Sequence, residues 1–584
     1  MRDISPLLRE ALADPGLVQS FSGVRAQFGQ GPDIPKELEA LAQAYAFFYA
    51  RKALRQREEA ELLVGRDPRP TGQAIATALA RGFTAAAGME RCRLRLTNLD
   101  IITTPLIQTA VRALEAAGGV MITASHNPPT DNGFKFIAGC ARGGHTDRDA
   151  APPGALVSAK RMGELIGEVR AAAREPGELP VALERAHSAR ALGDGEDHQR
   201  RIKAERAYLD AIGADWGIQP HCLKPLVLGP ALLDPNGGAA CGIGARVLEH
   251  FGVRAIEVNA ELGYPEHGID TDSIDPASGK HMLLRVARAA LRNGARFGLA
   301  FDYDADRGNL VLPGLDESAI VPPQTVAAAN IALALTHRET LAARETKLSV
   351  VMSDSTSGAS ADVARMFGAE VFVVETGEIN VVTRMHQLRR EGCDAPIGVE
   401  GANGGTIFGT STCRDGLQTA ICAALGDELP AFAERWLQAF GRRGKSAGSA
   451  GPGRLRDILA AVPSYWNRPF RLEGPVVPHA EAKARMERHF EKRLWLKLSR
   501  RFERYEFRNY EGTGQVSRRT GDESGGWRAS LFAGGKESFI FARGSRTEAG
   551  IWRMIVDSPD DSLGEALAEA AMALYGAAAG QRDC

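Results

Sequence analysis

The chain has 584 residues, 44% hydrophobic and 24% charged, with a formal net charge of −1. That length exceeds what one hydrophobic core organises, so three to four domains are expected, with the composition of an ordinary soluble globular protein. The near-neutral charge points to neither a nucleic-acid partner nor an acidic membrane, and no run of about 18 uninterrupted apolar residues exists to span a bilayer.

The eight cysteines are scattered without a C-x-x-C pair, so neither a disulfide framework nor a zinc site is expected, and reduced cytosolic thiols fit best. Charges run through the apolar part of Met1–Gly16, which therefore does not read as a signal peptide. The first regular unit is Glu61–Leu96: an apolar strand ending at Asp67, Thr71-Gly72, a helix, Gly88 and a strand over Leu94–Leu96. The same order returns over Leu226–Val258, with Asp234, Asn236-Gly237-Gly238 and Phe251-Gly252. It returns again over Leu348–Val374, with Asp354, Ser357-Gly358, Phe367-Gly368 and a strand over Glu370–Val374. Strand, acidic turn, small residues, helix, glycine, strand is a βαβ grammar, and its recurrence predicts three similar α/β domains with mixed, mainly parallel sheets.

Between the first two units lies Thr123–Phe136, TASHNPPTDNGFKF, after a short buried strand at Gly119–Ile122. Asn127-Pro128-Pro129 can continue neither strand nor helix, and Asp131-Asn132-Gly133 is turn chemistry. Ser125 and His126 thus sit where a strand opens into a loop, with Lys135 a short turn away. Strand ends are where α/β sheets meet ligands, and a hydroxyl, an imidazole and an amine there suit nucleophilic or phosphoryl chemistry; a plain polar loop is the alternative. Arg142–Arg201, broken at Pro153-Gly154 and Pro176-Gly177, reads as helices and loops closing the first domain. Gly242-x-Gly244 has Val247 at the third glycine position of a dinucleotide fingerprint and is not read as a nucleotide site.

Phe301–Arg307, FDYDADR, carries Asp302, Asp304 and Asp306 in alternation, which on an extended segment puts three carboxylates on one side. At about 5 Å and an effective dielectric near 20, each pair repels by roughly 3 kcal/mol. A hard divalent cation removes that repulsion, and all-oxygen ligation suits Mg²⁺. An EF-hand is rejected, because Arg307 and Pro313 occupy its glycine and terminal acid positions. The apolar approach Phe297–Ala300 places the triplet at a strand end.

Glu400–Gly405, EGANGG, follows the apolar Pro396–Val399 and offers Glu400 and Asn403 on a flexible loop suited to sugar hydroxyls. Gly441–Gly453 is a linker by composition; its Gly444-Lys445-Ser446 is neither a nucleophile elbow, lacking a strand before it, nor a Walker loop, having Ala439 upstream. Ten Lys or Arg against five Asp or Glu in Glu481–Asn509 read as a solvated helix face. Phe502–Gln515 and Arg528–Phe541 alternate as antiparallel strands do, and Leu563–Ala579 is an Ala-rich helix, so a smaller α+β domain closes the chain. Arg543–Glu548, RGSRTE, lies between two apolar strands; Arg543, Ser545, Arg546 and Thr547 can surround a phosphate with hydroxyls, backbone N–H groups and guanidinium forks. The joins divide the chain at residues 1–201, 202–322, 323–440 and 441–584.

Together and in this order, TASHNP with GFKF, FDYDADR, EGANGG and RGSRTE resemble the loops of the α-D-phosphohexomutase superfamily, the phosphoglucomutase/phosphomannomutase enzymes. Phe21–Arg25, Gly65–Arg69, Thr104-Pro105 and Asp415-Gly416 match as well, so the resemblance covers most of the chain. It implies a cytoplasmic enzyme, three related α/β domains and a smaller fourth around a central cleft. The activity implied is interconversion of hexose 1-phosphate and hexose 6-phosphate, most simply as phosphoglucomutase or phosphomannomutase.

In that family's chemistry Ser125 carries the phosphoryl group, and Mg²⁺ is held by Asp302, Asp304, Asp306 and the Ser125 phosphate. Arg307, Arg25 and Lys135 stabilise charge, while Lys135 or His126 moves the proton. Glu400 and Asn403 bind sugar hydroxyls, and Arg543, Ser545, Arg546 and Thr547 hold the second phosphate. A hexose 1,6-bisphosphate activator, a small sugar-phosphate substrate and a monomeric or homodimeric state are implied, with no nucleic acid or membrane involved. The chain departs from the pattern at Tyr303, at Asn403-Gly404-Gly405, at Gly544-Ser545-Arg546, at Ala549 and at Ala26. Three other readings stay open: a sugar-bisphosphate synthase, a metal-dependent sugar phosphatase, and a catalytically silent relative.

Overall fold

In the computed structural model the described residues are 4–141, 151–186, 197–222, 229–263, 265, 273–275, 278–341, 346–401, 403, 405–428, 454–474, 477–516, 525–546, 548 and 550–580. The expected linker at 441–453 lies outside them, as does Thr547. The chain divides into two compact units, Met1–Ala319 with Thr410–Ala420, and Ile320–Gly409 with Ile421–Cys584.

The first unit holds two sheets. One is six-stranded, in the order Val18–Ser20, Gly23–Gln27, Asp131–Ala138, Gly118–Ile122, Glu59–Arg66, Arg93–Ile101. Its last three strands are parallel to one another, and Asp131–Ala138 pairs antiparallel on both sides. The other has four strands, Gly308–Val311, Gly298–Phe301, Ala231–Asp234 and Ala255–Glu257, again with three parallel and one antiparallel edge. Helices Lys36–Leu54 and Gly72–Glu90 bury Leu41, Tyr45, Phe47, Ile75, Leu79 and Phe83 in the core of the larger sheet. Helix His198–Trp216 crosses the first expected domain boundary without a break.

In the second unit, Glu370–Val374, Leu348–Ser353 and Asp394–Glu400 run parallel, with Gly405–Phe408 antiparallel at the edge. All three α/β sheets therefore share one plan. The first and second parallel strands are joined by the predicted βαβ unit. A third parallel strand then turns back into an antiparallel strand, which is the sheet edge in the two four-stranded sheets. The loops after Ile122, Phe301 and Glu400 all occupy that last turn.

The C-terminal sheet is antiparallel throughout, in the order Trp466–Glu473, Ile551–Ser558, Lys536–Gly544, Trp527–Ala533, Arg504–Phe507. Period-2 alternation puts Trp527, Ala529 and Leu531 with Trp552, Met554 and Val556 into one core. Helices His479–His489 and Asp561–Ala579 fill it with Met486, Leu567, Ala571 and Leu574. The basic stretch Glu481–Asn509 exposes Lys492, Arg493, Lys497 and Arg500 while Phe490, Leu494 and Leu498 are buried; Lys483, at 1% exposure, departs from a solvated face. Among the described residues no helix is long and apolar enough to cross a membrane.

Candidate functional site

Ser125 leaves strand Gly118–Ile122 with φ +56°, a left-handed conformation that costs a non-glycine residue on the order of 1 kcal/mol or more. The surroundings over-determine it. The Ser125 N–H donates to Thr123 Oγ1 at 2.8 Å, and Arg69 Nη2 donates to the carbonyls of Ser125 at 3.0 Å and Asn127 at 2.8 Å. Arg69 pairs in turn with Asp67, the acid that ends the first parallel strand. The side chain so presented is 4% exposed, and its Oγ donates to Asp302 Oδ2 at 2.6 Å.

The aspartates converge, but not by strand alternation. Residues 302–307 form a turn between Gly298–Phe301 and Gly308–Val311, with Ala305 at φ +58° and its N–H donating to the Asp302 carbonyl. A six-residue connection cannot stay extended and still return into an antiparallel neighbour, so coiling replaces the extended segment expected. One oxygen from each of Asp302, Asp304 and Asp306 lies within 4.8 Å of the others, and all three residues are buried.

Cations hold this charge together. Arg307 donates from Nε to Asp302 Oδ2 at 3.0 Å and from Nη2 to Ser125 Oγ at 2.8 Å. Lys135 Nζ lies 2.9 Å from Asp304 and 3.5 Å from Asp306, and Arg414 Nη2 donates to Asp306 at 2.6 Å. Thr104 Oγ1 donates to Asp304 at 2.6 Å. Burial and the Asp306 carboxylate push Asp302 well above the ordinary carboxylate range, against Arg307. Burial acts on Asp306 too, but Arg414, Lys135 and Arg307 outweigh it and hold that group below the range. Arg25 is brought down to about 10 by burial, opposed by Asp304 and Asp306.

Two kinds of buried atom in this cluster lack hydrogen-bond partners: the donors Arg25 Nε and Nη1, and the acceptors Asp304 Oδ1 and Asp306 Oδ1. Orphaned oxygens in a buried all-carboxylate set fit a hard dication, and orphaned guanidinium N–H groups fit an anion. His126 is half-buried, its Nδ1 against Arg307 Nη2. A guanidinium only donates, so Nδ1 accepts and the neutral ring carries its proton on Nε2.

The second unit gathers another set. Glu400 is 6% exposed, and the Gly401 N–H after it donates to Ser353 Oγ at 3.0 Å while its carbonyl accepts from Gln324. Arg543 donates to the Thr376 carbonyl at 2.9 Å, and Arg546 pairs with buried Glu375. Burial and Arg546 lower Arg543 to about 10, opposed by Glu400, Asp354 and Glu375, so Glu400, Arg543 and Arg546 share one field. Ser545 Oγ accepts from the Glu548 N–H at 3.1 Å, which shapes the loop. His479 Nε2 accepts the Gly544 N–H at 2.8 Å. Asn403 lies half-buried in the turn after Glu400, and Thr547 is outside the described residues.

Sequence reasoning missed Arg414, Arg69, Thr104 and Glu375 as members of these clusters. The first three stand in or beside Gly65–Arg69, Thr104-Pro105 and Asp415-Gly416, stretches to which the sequence alone assigns no role. The helix opened by Gly242-x-Gly244 has its N-terminal N–H groups taken: Gly242 and Ala245 donate to the Glu257 carboxylate at 2.8 and 2.9 Å. A carboxylate already sits where a phosphate would bind.

Comparison with known proteins agrees with this geometry. Residues 18–151 match the model for phosphoglucomutase/phosphomannomutase α/β/α domain I, and residues 328–425 match that for domain III. A phosphoglucosamine mutase of Synechococcus sp. (strain WH7803) is 31% identical over 246 residues, 42% of this chain and 44% of that protein. One from Rhodococcus jostii (strain RHA1) is 32% identical over 254 residues, 42% of this chain and 45% of that protein. The chain thus spans less than half the length of these curated relatives. Among solved structures, a phosphoglucomutase/phosphomannomutase family protein from Burkholderia thailandensis superposes with a TM-score of 0.62 at 18% identity, covering 97% of this chain and 98% of that one. The Paramecium phosphoprotein pp63/parafusin, a phosphoglucomutase, gives 0.60 at 15% identity, covering 97% and 95%. At these identities the structural likeness speaks for the fold.

Proposed function

We propose that the chain, whose residues 18–151 and 328–425 match phosphoglucomutase/phosphomannomutase domains I and III, is an intramolecular phosphotransferase that interconverts hexose 1-phosphate and hexose 6-phosphate through a phosphoserine at Ser125. The observation that carries this is a buried serine hydroxyl hydrogen-bonded to Asp302 beside Asp304 Oδ1, which meets no hydrogen-bond donor, with Arg25 Nε and Nη1 buried and without an acceptor. Phosphoryl transfer needs a site that satisfies an anion and a cation together, because positioning and charge stabilisation carry its loose transition state.

In this reading Asp302, Asp304, Asp306 and a phosphorylated Ser125 would hold Mg²⁺, which would supply neutralisation of phosphoryl charge. Arg307 orients Ser125 Oγ, and Arg25 takes phosphoryl oxygens. The phosphorus–Oγ bond breaks as a bond to a sugar hydroxyl oxygen forms, and the hydroxyl proton leaves to a base. The bisphosphorylated sugar then returns its other phosphate to Ser125, so a hexose 1,6-bisphosphate can prime the enzyme. Lys135 Nζ lies beside Asp304 and Asp306 and His126 Nδ1 lies against Arg307, and proton exchange with the sugar hydroxyl is assigned to one of these two. Glu400 and Asn403 are assigned to sugar hydroxyls, and Arg543, Ser545, Arg546 and Thr547 to the non-reacting phosphate. Four domains meeting near residues 201, 322 and 440, a cytoplasmic location and a monomeric or homodimeric state belong to the same proposal.

The sugar is drawn from glucose, mannose and glucosamine phosphates. The first two follow from the loop resemblance and the third from the named relatives. The test is a coupled assay of each 1-phosphate with its bisphosphate and Mg²⁺. Interconversion of at least one is expected. Free phosphate as the main product points instead to a phosphatase, net bisphosphate made from a separate donor to a synthase, and no turnover to a silent relative.

A further inference from the structure

Tyr303 lies between two of the converging aspartates, yet its side chain does something else. The ring is 2% exposed, and the Arg69 guanidinium carbon stands 4.8 Å from its centroid. Arg69 is 1% exposed, is paired with Asp67, and grips the carbonyls of Ser125 and Asn127. Its Nε is buried and meets no hydrogen-bond acceptor. For a desolvated guanidinium so placed, the face of an aromatic ring is the remaining favourable contact. The backbone of Tyr303 is itself fixed. Its carbonyl accepts the Ala239 N–H at 2.8 Å, and a Cβ on Gly238 would stand 2.7 Å from that carbonyl and 3.0 Å from Tyr303 Cα. Only glycine admits this approach, so the Tyr303 backbone cannot shift without displacing the loop at 236–239.

We propose that Tyr303 is a positioning residue for Ser125: its ring holds Arg69 in the orientation that keeps the Ser125 turn left-handed. The chain of contact is Tyr303 ring, Arg69 guanidinium, Ser125 carbonyl. A strained residue relaxes when its surroundings stop over-determining it. Loss of the ring frees the fork, and Ser125 Oγ then loses its fixed aim at Asp302 and Arg307. The Asp302–Asp306 turn and the Ser125 loop are thus kept in register through the Tyr303–Arg69 contact. The kinetic consequence rests on the mutase reading; the structural one does not.

The experiment compares Tyr303→Phe, Tyr303→Leu and Arg69→Lys in the full chain by amide hydrogen exchange and steady-state kinetics. Tyr303→Phe keeps the ring face and should match the wild type. Tyr303→Leu and Arg69→Lys should speed exchange about tenfold at residues 124–127, with strand Glu59–Arg66 unchanged, as expected for losing a cation–π contact or a bidentate fork. In the same two variants kcat should fall about tenfold with KM within about twofold. Unchanged exchange in Tyr303→Leu or Arg69→Lys overturns the proposal, as does a Tyr303→Phe protein as fast as Tyr303→Leu. Faster exchange across the whole sheet also overturns it, since that reports lost stability and not a lost aim. If the wild type turns over no hexose phosphate while the exchange pattern holds, the mutase reading fails and the clamp stands.

Discussion

Arg414 donates to Asp306 across 108 residues of chain, at 2.6 Å. Its own segment is pinned from both sides: Thr410 donates to Asp215, Tyr208 donates to Asp415, and Arg112 donates to Thr412. A Cβ on Gly416 would stand 2.7 Å from the Arg307 carbonyl carbon, so the segment lies directly on the turn that carries the aspartates. Arg414→Gln removes the charge and keeps a donor. A charge-assisted hydrogen bond to a buried carboxylate contributes about 1.5–3 kcal/mol, so kcat should drop roughly ten- to a hundredfold. Steady-state kinetics on the best substrate of the panel measure this, and wild-type kcat in the variant would remove Arg414 from the site.

Ser125→Ala should abolish turnover and leave the melting temperature close to that of the wild type, because the methyl keeps the backbone turn and removes only Oγ. Intact mass after incubation with a hexose bisphosphate should show one phosphate on the wild type and none on the variant. Substantial turnover by a verified Ser125→Ala preparation would sink the phosphoserine assignment.

Chelation of divalent metal should stop activity, and added Mg²⁺ should restore it. Asp304→Asn should lower Mg²⁺ affinity measured by calorimetry, since Asp304 Oδ1 is one of the orphaned buried oxygens. Full activity after thorough EDTA treatment contradicts the metal role.

Asp415 gives a pH signature of stability. Burial raises it to about 6 from an ordinary 3.8, against hydrogen bonds from Gln418 and Tyr208. The folded state therefore holds its proton where the unfolded state has lost it. The stabilisation is fully present below about pH 3.8 and is lost as pH rises through about 6. The amount is on the order of 3 kcal/mol. Asp415→Asn titrates nowhere in this window, so the difference in unfolding free energy between wild type and variant should shift toward the variant between pH 4 and pH 7. Denaturant melts at both pH values test it; a difference independent of pH argues against a raised Asp415.

The local grammar of the chain was legible in its residues. Period-2 runs, turn residues and glycines repeat at short range, so the βαβ units around Asp67, Asp234 and Asp354 could be read before any contact was known. The same holds for the loops after Ile122, Phe301 and Glu400, because a strand that breaks into proline, glycine or clustered charge has to end there. What the residues could not reveal was partnership. Arg69 with Ser125, Thr104 with Asp304, Arg414 with Asp306 and Arg546 with Glu375 are pairs between 56 and 200 residues apart. No periodicity links such positions; they meet only after the sheets have formed and their loops are delivered to the strand ends. Even the aspartate triplet shows the division. Its composition brought three carboxylates together, while the turn at Ala305 and the antiparallel return into Gly308–Val311 decided how they converge. Short-range sequence determined which groups are present and where the chain must turn. Tertiary closure decided which charges face one another, because buried charges are stable only beside partners that the fold brings from elsewhere.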